Sequence, residues 1–128
     1  MTHENKELLL KDLCGRLPYG VKVQVFNYGI ETIENLYQID LDGYISTIEG
    51  DELKYSYKPY LFPLSSMTEE QKKEFDQLLE LELKAISDEI DPTQATAFEI
   101  DFYNKHHFDY RGLIPMGLAN DATGLNIY

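Results

Sequence analysis

The sequence predicts an α+β fold. It reads as an N-terminal helix, a four-stranded antiparallel meander curled toward an SH3-like barrel, two C-terminal helices and an irregular C-terminal segment. Three observations carry this. Leucines recur at helical spacing up to Leu17, strict alternation begins at Val21, and a helical apolar stripe returns after Thr68. The 128 residues suit a single domain spanning 1–128, because that length buries a core without disulfide or metal staples. Repeats, low-complexity tracts and flexible linkers are all lacking.

The first helix is expected over about Glu4 to Cys14. Thr2 is placed to cap it, Leu9 and Leu13 lie one turn apart, and Leu10 and Leu17 widen the stripe. Gly15 is expected just past the helix end with a positive φ, followed by Pro18. Val21, Val23 and Val25 then alternate with Lys22 and Gln24 as a half-buried strand, and Asn27-Tyr28-Gly29 supplies a turn. In the second strand, about Ile33 to Leu41, Tyr37, Ile39 and Leu41 are expected to share one face. Asp42-Gly43 is type I′ hairpin chemistry, and Tyr44 to Glu49 forms the return strand. After Gly50-Asp51, Leu53, Tyr55 and Tyr57 alternate as the fourth strand.

Pro59 and Pro63 are expected to end the sheet, with Tyr60 to Met67 as an ordered loop. Thr68 and Gln71 form a capping box for a helix whose stripe runs through Phe75, Leu79, Leu83, Ile86 and Ile90. Asp91-Pro92 stops that helix and starts another, lined by Ala95, Phe98 and Phe102 and running to about His106. Tyr110 to Tyr128 is too apolar for a free tail and too rich in glycine for a helix, so it should pack irregularly across the domain.

Three blocks, LLLKDLCGRLPYGVKVQV from Leu8, KPYLFPLSSMTEEQKKE from Lys58 and NKHHFDYRGLIPMGLA from Asn104, cover roughly 40% of the chain. They resemble a family of small uncharacterised proteins from gut-bacterial genomes and their prophages. The resemblance implies cytosolic, mobile-element-associated expression rather than an activity. The family pattern often has a basic residue where this chain has Phe62.

Charge and composition exclude several functions. Eleven basic against 23 acidic residues give −12, which opposes direct binding to nucleic acid or anionic lipid. Residues 61–128 hold the larger share, with nine acidic groups and only Lys84 between Glu74 and Asp101. No apolar run approaches a bilayer-spanning length, and Met1 to Lys11 lacks the apolar stretch of a secretory signal. A lone cysteine, Cys14, predicts a cytoplasmic protein without disulfides. It falls near a helix C-terminus, where the dipole disfavours a thiolate. Nucleotide-binding loops and nucleophile elbows are absent, and Ser65-Ser66 reads as capping chemistry. Asp40 to Gly43 lacks the distal Glu of a calcium loop.

His106-His107-Phe108-Asp109-Tyr110-Arg111 is the chemically richest stretch. A metal needs three converging ligands, but adjacent histidines on a helix diverge by about 100°. The stretch therefore reads mainly as a helix end, with no catalytic, metal or cofactor site assigned. The expected function is a small non-enzymatic interaction factor with an unidentified protein partner, and self-association is compatible with it. Candidate contact residues are Tyr55, Tyr57, Tyr60, His107, Tyr110 and Arg111, chosen for amphipathic rings beside cations. Two alternatives belong to other classes. One is an acidic decoy for a nucleic-acid-binding host protein, built on Glu80, Glu82 and Asp88; the other is an enzyme using His106, His107 and Asp109.

Overall fold

The computed structural model describes residues 2–27, 29–40, 45–49, 52–53, 57–87 and 92–128, with side chains described outside 27, 52–53, 81–87 and 92–97. Its order is α1 (His3–Arg16), β1 (Lys22–Asn27), β2 (Ile30–Ile39), β3 (Ile45–Thr47), β4 (Glu52–Leu53), β5 (Lys58–Leu61), α2 (Glu69–Ser87), α3 (Pro92–Lys105) and β6 (Asn120–Asp121). The architecture is α+β, with a mixed sheet ordered β4-β3-β2-β1-β5-β6. The meander β1 to β4 is present, and β5 and β6 extend it beyond β1. Pairings among the described residues leave the sheet open at β4 and β6.

Thr2 caps α1 by accepting the Asn5 N–H at 3.1 Å. The helix runs to Arg16 rather than stopping at Cys14, and Gly15 lies inside it. A Cβ there would come within 3.2 Å of Asn104 Nδ2, so glycine allows close approach to the end of α3. The left-handed turn expected at Gly15 falls instead at Gly20, where φ is 77°.

Val21, Val23 and Val25 are fully buried, as their alternation requires. Asn27 pairs with Ile30, and Gly29 takes a φ of 78° in the connecting turn. In β2, Leu36 faces Thr47 while Gln38 faces Ser46, which leaves Tyr37 as one extra residue in a β-bulge. The bulge reverses the parity of the strand. Glu34 and Leu36 are buried before it, Ile39 turns inward after it, and Tyr37 is 63% exposed. The shared face expected for Tyr37 and Ile39 is therefore split. The Asp42-Gly43 and Gly50-Asp51 turns, Tyr55, Ile90 and Asp91 lie outside the described residues, as do the side chains of Leu83, Ile86 and Ala95.

Strand β5 continues through Pro59 to Leu61, so Tyr60 and Leu61 belong to the sheet and not to the expected loop: Gln24 pairs with Lys58 and Val23 with Pro59. One residue further along this register Lys22 meets Tyr60, and the Tyr128 hydroxyl sits between them. It accepts from Lys22 N at 2.8 Å and donates to the Tyr60 carbonyl at 2.7 Å. Lys58 and Tyr60 thus turn their backbones toward β1, so Pro59 needs no N–H for this ladder. β6 runs parallel to β5, and Ala122 N donates to Leu61 O.

The core joins Leu9 and Leu13 of α1, the inward face of β1 to β3, Leu61, and Leu113, Leu118 and Ala119. The C-terminal segment therefore completes the core of its own chain. The Thr68–Gln71 capping box forms as expected, with reciprocal bonds of 2.8 and 3.2 Å. Phe75 of α2 packs on Phe102 and Tyr103 of α3 at ring distances of 5.3 and 5.6 Å. Phe98, expected on the same face as Phe102, is exposed.

Candidate protein-binding surface

Two regions combine unusual chemistry with specific geometry. One is a buried polar junction; the other is an exposed apolar sheet face.

The junction forms where the end of α1 meets residues 104–114. Asp12 and Arg16 are completely buried one helical turn apart and joined by two bonds, of 2.7 and 3.1 Å. Arg16 Nη2 also donates to the Phe108 carbonyl at 2.7 Å, and Arg111 Nε lies 3.4 Å from Asp12. Tyr110 presents its ring to both guanidinium groups, each 5.2 Å from the ring centre. Asp109 accepts from the Leu113 and Ile114 N–H groups at 2.8 and 2.9 Å, which fixes the turn leading into the C-terminal segment.

The two histidines diverge. His106 bonds Glu74 at 3.0 Å. Glu74 is raised by burial, but its bonds to Lys105 and His106 outweigh this and hold its carboxyl below the usual value. His107 adopts a φ of 62° and stacks on Tyr128 with ring centres 3.7 Å apart. Burial pushes its pKa down to about 4, with Arg16, His106 and Lys22 adding to the effect. Burial also pushes the Tyr128 phenol up to about 12. His106, His107 and Asp109 thus engage three separate partners instead of converging on one point. Among the described residues, no group of three or more His, Cys, Asp or Glu side chains is placed to hold a metal.

Of the expected contact residues, Tyr55 lies outside the described residues. Tyr57 is half-buried against the core and Tyr60 is buried, whereas His107, Tyr110 and Arg111 belong to the junction. Of the carboxylates considered for a decoy, Glu80 is exposed; Asp88 and the Glu82 side chain are outside the described set. A cleft of about 200 Å³ between Phe62, Phe108, Thr68 and Gln71 is smaller than ordinary small-molecule pockets of roughly 300–1,000 Å³. Thr68 and Gln71 are already committed to capping α2.

The second region is the side of the β1–β2 pair facing away from the core. Lys22 pairs with Asn35, Gln24 with Ile33 and Phe26 with Glu31, and all six project outward because their neighbours Val21, Val23, Val25, Glu34 and Leu36 project inward. The polar members satisfy one another. Lys22 Nζ donates to Asn35 Oδ1 at 2.8 Å, Asn35 Nδ2 donates to Glu49 at 3.0 Å, and Gln24 donates to Glu31. Among them stand Phe26 at 62% exposure, Ile33 at 43% and Tyr37 at 63%. Ile48, 67% exposed, lies beside Asn35, to whose carbonyl its N–H donates at 2.9 Å.

Sequence reading missed this patch, although one signal was present. Phe26 falls in phase with Lys22 and Gln24, so a large ring was placed on the polar side of the strand. Ile33 and Tyr37 gave no comparable signal, because their side depends on the β1–β2 register and on the bulge. Exposed Glu31 and Glu49 bond to Gln24 and Asn35 of this face, and Lys22 is the one basic residue among its six paired positions. Among the described residues, no helix is long and apolar enough to cross a membrane. Compared with protein-family models, curated proteins and solved structures, the chain matches none of them.

Proposed function

We propose that this protein is a non-enzymatic protein-binding module that docks through the outward face of β1 and β2. One observation carries the proposal: Phe26, Ile33, Tyr37 and Ile48 lie together on a single sheet face, each more than two-fifths exposed. Monomeric proteins scatter single apolar residues over their surfaces, but a contiguous set inside a polar rim marks an interaction site. Aromatic rings at the centre of such a patch supply most of the energy of a protein contact. The partner surface is apolar at its centre and basic where it meets the exposed carboxylates of Glu31 and Glu49. In keeping with the resemblance of the three sequence blocks, the role is that of an accessory factor of a mobile element acting on a host protein.

The test is affinity capture from host cells with the wild-type chain and with Phe26→Ser/Tyr37→Ser. A partner retained by the first and lost with the second supports docking through this face. Identical captures by both overturn it, provided that both proteins have the same amide spectrum.

A further inference from the structure

We infer that the outer edge of β2 at Glu31 and Ile33 accepts an additional β-strand from a basic partner segment. The inference rests on the protein-binding role proposed above and gives that role a mode of recognition.

The direction of the backbone groups follows from one bond. Leu36 N donates to Val21 O at 3.0 Å, so Leu36 turns its backbone toward β1. By the two-residue period of a strand, Glu34, Thr32 and Ile30 do the same, while Asn35, Ile33 and Glu31 turn away. The outward groups of Asn35 are occupied: its carbonyl accepts from Ile48 N at 2.9 Å, and its N–H donates to Glu49 at 3.2 Å. Pairing with β3 starts only at Leu36. Among the described residues, the N–H and C=O groups of Glu31 and Ile33 therefore face outward from a strand that β1 holds in register on its other side.

Proteins usually blunt such an edge with lysine, proline or a bulge. Here the bulge lies past the open stretch, at Tyr37, and the open stretch contains neither Lys nor Pro. A strand laid beside Glu31–Ile33 gains up to four main-chain hydrogen bonds, and its alternate side chains reach the Ile33 and Phe26 side of the sheet. Charge selects the occupant. Exposed Glu31 on the open stretch and Glu49 beside Asn35, with no Lys or Arg in the sequence from Phe26 to Leu53, favour a segment in which apolar residues alternate with Lys or Arg. The same charge opposes a second copy of this chain, since each carries −12 and edge pairing would bring two acidic stretches together.

The probe is an acetylated, amidated peptide of alternating valine and lysine, seven residues long, titrated into the intact protein and followed through backbone amide shifts. Its control is the same peptide N-methylated at alternate residues, which keeps charge and side chains but blocks strand pairing. The expected result is shifts centred on Glu31 and Ile33, with binding at least tenfold weaker for the N-methylated peptide and for Ile33→Pro. Proline at 33 removes an N–H that β1 does not use. Equal binding of the two peptides to the wild-type protein overturns the inference, and this comparison needs no variant to fold. Shifts centred on α2 overturn it as well, as does concentration-dependent loss of the Glu31 and Ile33 signals without peptide, which assigns the edge to a second copy. If captured partners still depend on Phe26 and Tyr37 while N-methylation has no effect, strand addition fails and face docking stands.

Discussion

The polar junction and the outward sheet face invert the usual distribution of side chains, and they do so with opposite consequences. At the junction, charged Asp12, Arg16 and Asp109 are buried, and each is bonded to groups of this same chain. On the sheet face, Phe26 and Tyr37 are left in water while the polar residues around them pair with one another. A buried charge bonded within its own chain is committed to holding the fold together, although Arg16 Nη1 itself has no hydrogen-bond partner among the described residues. An exposed ring with no comparable commitment is available to another molecule. The His106–Arg111 stretch is tied into the fold by its own hydrogen bonds, whereas β1 and β2 leave large apolar side chains exposed on their outward face.

The sharpest way to break this contrast is Asp12→Ala. It strands a fully buried guanidinium and is expected to cost about 3–5 kcal/mol in urea unfolding. Replacing Asp12 and Arg16 together by Leu and Met should restore much of that loss, because no uncompensated charge remains. Asp109→Ala comes next, at about 2 kcal/mol, with faster exchange of the Leu113 and Ile114 amides that it holds. Tyr128→Phe removes the hydroxyl bridging Lys22 and Tyr60 and should cost about 1 kcal/mol. At the other extreme, Phe26→Ser and Tyr37→Ser should change stability by only about 0.5 kcal/mol while abolishing partner capture. If they destabilise as strongly as Asp109→Ala, the two regions are not functionally distinct.

Acidity sharpens the same contrast. His107 titrates near 4 in the folded protein against 6.5 when unconstrained, so between these values the unfolded chain binds the additional proton. Its contribution is complete above 6.5 and is lost as pH falls toward 4. Glu74, held below its ordinary 4.5, adds a loss that begins at that value and continues below it. The urea midpoint should therefore fall across this window. His107→Gln should flatten the part between 6.5 and 4.5, whereas Phe26→Ser should leave the profile unchanged.

Local pattern alone determined the features whose causes lie within a few residues. These include the Thr2 cap, the Thr68–Gln71 box, the alternation of Val21, Val23 and Val25, and the start of α3 at Pro92. Each follows from a short-range hydrogen bond or from the period of one element, so the α+β class was legible from residue order. Tertiary structure decided what depends on distant partners. Gly15 became a contact point for Asn104 instead of a turn, and Pro59 entered a strand because β1 needed no N–H from it. Arg16 was buried because Phe108, 92 residues away, offered its carbonyl. Ile33 and Tyr37 were turned outward by register and by a bulge that no single-strand pattern encodes. A side chain's type is local, but the side of the sheet it occupies is set by the strand it pairs with.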